Sequence, residues 1–272
     1  MAAPGERMSM VIAIPSALRR ALSTAAPAVF LSPHLDDAVL SCGALIHHLA
    51  PRVSVTVATV FTTADAWPHT MAARSFLRCC AFPDAPALFR ARRAEDVAVL
   101  RELAADHVHL GFADALFRRR RTAMTNRLGR VLPELAHRYP TYRFDIARGR
   151  VARGDRPMIA EVVQAAGTLL ERTGAGVLFC PLGVGRHVDH VIVRAVGDRF
   201  ADRVVYYSDF PYNQSAAVDP AFIARHRLVP WSWEQGIAGK ARLIRGYRTQ
   251  AEAMFPGLRI PVAPEIYYGA ES

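Results

Sequence analysis

The stretch Val29-Phe30-Leu31-Ser32-Pro33-His34-Leu35-Asp36-Asp37-Ala38-Val39-Leu40 constrains this chain more than any other. An apolar run ends abruptly at a proline, a histidine and two adjacent aspartates, and apolar residues then resume. The run before Pro33 has the character of a buried strand, while Val39, Leu40, Leu45 and Ile46 suit a helix. One imidazole and two carboxylates are thereby set at a strand-to-helix junction, the end of a parallel sheet at which ligands collect. Taken alone, the pattern is also satisfied by a helix cap, because Asp suits the N-cap and the first turn.

A second junction of the same kind shifts the balance. Val177 to Cys180 reads as a strand, and Pro181-Leu182-Gly183-Val184-Gly185-Arg186-His187-Val188-Asp189-His190 follows it before apolar Val191, Ile192 and Val193. With a helix starting near His187, His187 and His190 are three apart and share one face. Asp189 is placed to orient an imidazole, as carboxylates beside metal-bound or catalytic histidines do. Two such clusters at two strand ends exceed what capping explains and predict a metal site. Two His and one carboxylate without a thiolate leave an open position and suit catalytic zinc. The same set also suits iron(II) and oxygen chemistry. A spare aspartate favours hydrolysis, which needs a base for water. The chain has no Gly-x-Ser-x-Gly elbow, no P-loop and no Gly-x-Gly-x-x-Gly after the first strand, which argues against serine-hydrolase, NTPase and dinucleotide-binding readings.

Elsewhere the patterning predicts strands at Val53–Phe61, Val108–Leu110, Val204–Tyr207 and Arg227–Val229, with a further edge strand over Ile266–Tyr268. Helices are expected over Ala91–Ala104, between Met124 and Tyr139, over Pro157–Thr173, and as one long element from Trp233 to Phe255. Thr62 to Phe89, with three prolines, reads as a long loop carrying a helical turn near Met71 to Cys80. Strands alternating with helices predict an α/β fold: a mostly parallel sheet with helices on both faces, a Rossmann-like three-layer sandwich with its site at the C-terminal ends of the strands. Residues 1–26 read as a mobile arm or short helix and 27–272 as one domain. Met8 to Ile14 resembles a signal peptide only weakly, because Pro15 breaks the run. No apolar run approaches the roughly 20 residues that cross a bilayer.

The net charge of +10 rests on arginine, since Lys240 is the only lysine. Arg118 to Arg121 and the segment with Arg148, Arg150, Arg153 and Arg156 read either as solvated faces or as contacts for an anionic substrate or surface. Nucleic acid is disfavoured because no stacking aromatics interleave these runs. Cys42, Cys79, Cys80 and Cys180 lack CxxC spacing and read as thiols in a reducing, cytoplasmic setting.

The chain resembles the PIG-L (LmbE-like) deacetylase family, zinc hydrolases that remove N-acetyl groups from amino sugars. Pro33, His34, Asp36 and Asp37 match its motif Pro-His-Pro-Asp-Asp-Glu, and His187, Asp189 and His190 match its His-x-x-His with an internal Asp. Tyr206 to Tyr212 and Lys240 to Gln250 resemble further segments. Leu35 and Ala38 depart from the first motif, where the family has Pro and Glu. The resemblance implies Zn2+ on His34, Asp37 and His190, with Asp36 as the general base. It also implies a protonated His187 at the oxyanion, oriented by Asp189, and an N-acetylated sugar conjugate as substrate. Tyr212 and Tyr247 are the candidates for substrate contact, against a packing role. An amidase acting on another substrate, an iron(II) oxygenase and a glycan-binding protein with a vestigial site are the alternatives.

Overall fold

The computed structural model describes residues 14–120 and 131–270. Seven strands form one sheet: β1 (Ala28–Ser32), β2 (Val55–Thr63), β3 (Asp106–Ala113), β4 (Val177–Pro181), β5 (Val204–Tyr207), β6 (Leu228–Trp233) and β7 (Glu265–Ala270). Their order is β3-β2-β1-β4-β5-β7-β6. The five strands from β3 to β5 pair in parallel, whereas β7 runs antiparallel to both β5 and β6. The α/β fold with a mostly parallel sheet is therefore the one the patterning predicts.

Ten α-helices lie among the described residues: α1 (Ser16–Thr24), α2 (Asp37–Leu49), α3 (Met71–Cys79), α4 (Ala85–Glu102), α5 (Pro133–Ala136), α6 (Arg156–Thr173), α7 (Val188–Gly197), α8 (Pro220–His226), α9 (Ile237–Ile244) and α10 (Arg248–Met254). Alternate residues of β1 feed two separate cores, Val29 and Leu31 on one face, Ala28 and Phe30 on the other. Leu88, Val162, Ile192 and Val193 close the first core; Leu45, Leu243, Ile244 and Ala251 close the second. Burial on both faces is why the parallel strands read as unbroken apolar runs.

Several boundaries differ from the sequence pattern, each for a local reason. The loop expected through Phe89 ends early, because Asp84 caps α4 by accepting from the Ala87 N–H at 2.7 Å and Pro86 fits the first turn. β3 runs beyond Gly111 to Ala113. The long helix expected from Trp233 is two helices with β6 before them, and α9 and α10 part at Gly246. A Cβ on Gly246 would lie 2.4 Å from Val99 Cγ2, so a glycine is needed for that close approach. Ile266–Tyr268 belong to a strand inside the sheet, not at its edge. Part of the expected arm forms α1, whose Ala17 and Leu18 join the second core. Of the helix expected between Met124 and Tyr139, residues 124–130 lie outside the described residues, and α5 is a single turn.

The loop after β2 is latched by two buried histidines. His137 Nε2 meets the Pro68 carbonyl at 3.1 Å, and His69 packs edge-on to Phe117 with ring centroids 5.1 Å apart. Burial lowers both imidazoles, His69 from 6.5 to about 4. At His69 the unfolded chain therefore binds more protons than the native one between those values, and the contribution of this residue to stability falls as the pH drops from about 6.5 through about 4. Denaturant unfolding of the parent and of His69→Gln at a series of pH values should show it as a stability difference between the two that changes across this window.

Candidate active site

The site is assembled from the loops that leave β1, β3, β4 and β5, all at the C-terminal edge of the parallel strands. After β1, Ser32 Oγ donates to the His34 carbonyl at 2.6 Å and accepts the Ala38 N–H at 3.0 Å, which locks the turn. Asp36 holds the N-cap position of α2 yet makes no capping hydrogen bond. Asp37 turns inward: its Oδ2 accepts the His34 N–H at 2.8 Å and lies 3.0 Å from His34 Nδ1 and 3.3 Å from His190 Nε2. The capping role that competed with a metal role is thus left unused by Asp36.

After β4, Gly183 and Gly185 take left-handed φ values of 78° and 80°, which carry the chain sharply into α7. A Cβ on Gly185 would lie 2.6 Å from Tyr212 Cδ1. His187 is the N-cap of α7, and its Nδ1 accepts the Asp189 N–H at 3.3 Å. The remaining ring proton of a neutral His187 then sits on Nε2. Burial, followed by the neighbouring His34 and His190, holds His187 well below its ordinary range. The side chain of Asp189 does not turn to His187, as the resemblance implied. Its Oδ2 lies 3.3 Å from His34 Nε2 and accepts the Ala115 N–H, and its Oδ1 accepts from Arg118.

Asp209, just past β5, accepts from His190 Nδ1 at 2.6 Å and from the Val184 N–H at 2.8 Å. Burial would push His190 down, but Asp37 and Asp209 raise it to about 9. Asp37 resists the upward push of burial through His190 and His34, which hold it well below the usual carboxylate range. Burial and the adjacent Asp37 charge raise Asp36 to about 7.

This donor set fits a divalent metal. His34, His187 and His190 can each offer a nitrogen within 4.8 Å of the others, and His34, Asp114 and Asp189 form a second such group. Asp37 lies between His34 and His190, and the buried His190 Nε2 has no hydrogen-bond partner. A buried nitrogen without a partner and facing a carboxylate is satisfied by a cation that takes N and O ligands. Each of the two imidazoles beside Asp37 has its far nitrogen held by another carboxylate, Asp209 for His190 and Asp189 for His34.

A cavity of about 190 Å³ opens on His34, Asp36 and His187, with Arg92, Tyr142 and Tyr212 in its walls. Larger cavities of about 610 and 650 Å³ lie elsewhere and contain none of the predicted site residues. Tyr212 stands 5.5 Å from the His190 ring. Tyr247 does not reach the cavity: it is fully buried, and its hydroxyl donates to Asp96 at 2.9 Å. His109 binds the same Asp96. Arg118, read as part of a basic run, is buried, whereas Arg148, Arg150, Arg153 and Arg156 are exposed. Asp114, Asp209 and Arg92 were not singled out from the sequence, although Asp114 and Asp209 obey the same strand-end rule as the residues that were.

Comparison with known proteins places this arrangement. The model of the family PIG-L, described as GlcNAc-PI de-N-acetylase, matches residues 29–201, more than half of the chain. The chain belongs to the PIG-L family. As a PIG-L member it is 30% identical over 214 residues to the 2'-N-acetylparomamine deacetylase of Streptomyces fradiae, covering 75% of this chain and 65% of that protein. It thus spans a little under two thirds of that relative's length. The crystal structure of a zinc-inhibited form of teicoplanin deacetylase shares the fold, with a TM-score of 0.68 at 20% identity over 89% of this chain and 97% of that one. The A40926 pseudoaglycone deacetylase does so with a TM-score of 0.64 at 20% identity, over 89% and 96% of the two chains.

Proposed function

We propose that this chain is a metal-dependent N-deacetylase of amino-sugar conjugates, with zinc held by His34, Asp37 and His190. The observation that carries the reading is Asp37 Oδ2 set between His34 Nδ1 and His190 Nε2, beside a cavity that a second carboxylate, Asp36, enters unbonded. Zinc bound there would supply Lewis acidity for the acetamide carbonyl and lower the pKa of water.

The chain's own groups do the rest. Asp36, poised near 7, takes a proton from the attacking water and returns it to the leaving nitrogen. His187 serves as a neutral donor: with Nδ1 occupied by the α7 backbone, its Nε2–H can bond the carbonyl oxygen as negative charge grows there. The resemblance implied an imidazolium at this position, whereas burial favours the neutral ring. Tyr212, in the cavity wall, supplies an aromatic face for the sugar ring. The small cavity suits a single N-acetylated ring with the remainder of the conjugate outside. The likeness to an acetylparomamine deacetylase supports a small amino-sugar conjugate as substrate. The free thiols suit a reducing compartment such as the cytoplasm.

Purified protein should carry about one zinc per chain, as a single catalytic site requires. It should release acetate from N-acetylated amino-sugar conjugates, lose that activity on chelation and recover it with zinc. Acetate release that survives complete chelation, or a panel of such conjugates left intact by zinc-loaded protein, would sink the reading.

A further inference from the structure

Arg118 is held on every side. Its Nε donates to the Ala113 carbonyl at 2.9 Å, one terminal nitrogen donates to Asp155 Oδ2 at 2.9 Å, and the other donates to Asp189 Oδ1 at 2.5 Å. The guanidinium lies 4.6 Å from the centre of the Phe61 ring and 5.7 Å from that of Tyr139. Asp155 is itself fixed, accepting from the Tyr139 hydroxyl at 2.6 Å and pairing with Arg138 Nε at 2.9 Å. Arg118, Asp155 and Asp189 are exposed by only 4%, 1% and 0%. At that depth an unpaired carboxylate would be driven to protonate or to swing toward water.

Asp189 stands in the first turn of α7, where an acidic side chain ordinarily faces the free N–H groups of the helix end. Here it faces away. Arg118 and the Ala115 N–H anchor it, and the oxygen that accepts from Ala115 also lies 3.3 Å from His34 Nε2. We infer that Arg118 is a positioning residue: it fixes Asp189, and Asp189 fixes the His34 ring with Nδ1 turned to Asp37. The consequence for metal affinity rests on the reading of His34 as a ligand; the positioning itself does not. Lysine cannot replace Arg118, because one ammonium cannot span Asp155, Asp189 and the Ala113 carbonyl as a planar fork does.

The test uses the full chain with Arg118→Lys, Asp189→Asn and the double variant. In metal-free protein labelled with 15N-histidine, the parent should show a slowly exchanging His34 Nε2–H resonance, and each single variant should lose it. Zinc affinity, read by competition with a chromophoric chelator, should fall about 10–100-fold in each single variant, the usual effect of removing such a support. The double variant should lose no more than the weaker single, since both act through one contact. A parent without the resonance, an Arg118→Lys variant that keeps both resonance and affinity, or losses that multiply in the double variant would each overturn the inference. If Arg118→Lys does not fold, Asp189→Asn decides alone, and an unchanged His34 resonance overturns it. Loss of the resonance in variants of a parent that binds no zinc would leave the positioning intact and overturn the metal reading instead.

Discussion

Asp36→Ala should cut acetate release by about 10²–10⁴-fold, the ordinary worth of a positioned general base, while zinc content stays at the parent level. That loss corresponds to about 3–5 kcal/mol of transition-state stabilisation. The separation of the two readouts follows from the different jobs of adjacent residues. Asp37 is tied to His34 and His190, whereas Asp36 has no capping bond and faces the cavity. Removing its carboxyl also relieves a like-charge contact with Asp37, so the fold should tolerate the change. Turnover and bound zinc, measured on one preparation, check the prediction. Normal turnover in the variant would show that another group takes the proton, and loss of zinc would place Asp36 among the ligands.

The legible part of this site was the part that breaks a pattern locally. His34, Asp36 and Asp37 interrupt one apolar run and His187, Asp189 and His190 follow another, so both clusters stand out against the strands that lead into them. The sheet orders β1 next to β4, which brings the two interruptions together. Asp209 and Asp114 also follow strands, but each is a lone acid, and a lone acid at a strand end is indistinguishable from a turn or cap residue until its partner is known. Arg118 was obscured for the opposite reason. It sits in a run of four arginines that reads as one charged face, yet its own side chain points inward to meet Asp155 and Asp189. Tyr247 was open between substrate contact and packing because a family-like segment does not say which way a residue between α9 and α10 points; its hydroxyl meets Asp96 of α4.

The place of β7 in the sheet ties the far end of the chain to α2. Nothing local in Glu265-Ile266-Tyr267-Tyr268 distinguishes an interior strand from an edge strand, since the choice depends on where β6 pairs. Once β7 is placed between β5 and β6, Glu265 falls beneath α2, the helix that begins at Asp37. The fold thereby couples the last strand to the helix that follows the first cluster of the candidate site.

Glu265→Ala should cost about 3–5 kcal/mol of stability, the range for breaking a buried ion pair by removing one partner. The Glu265 carboxylate accepts the Ala44 N–H at 2.8 Å, the Leu45 N–H at 3.0 Å and the Tyr267 hydroxyl at 2.8 Å, with Lys240 Nζ 3.5 Å away. Burial raises its pKa, while Lys240 and these donors counter the rise. Without the carboxylate, Lys240 loses the partner of its ion pair, and the Phe210 ring stands 4.9 Å from its Nζ at a position 3% exposed. A lone ammonium buried there draws α9 toward solvent, which disturbs the packing of α9 on α2 at Gly43. Replacing both partners together, as Lys240→Met with Glu265→Leu, should recover part of the loss, because no charge is then left buried while the Ala44 and Leu45 N–H groups and the Tyr267 hydroxyl still lack the carboxylate. Denaturant unfolding of the three variants checks the pattern. A single variant within about 0.5 kcal/mol of the parent, as for an ordinary surface substitution, would mean that water already reaches Lys240. The double variant should then also gain nothing over the single one.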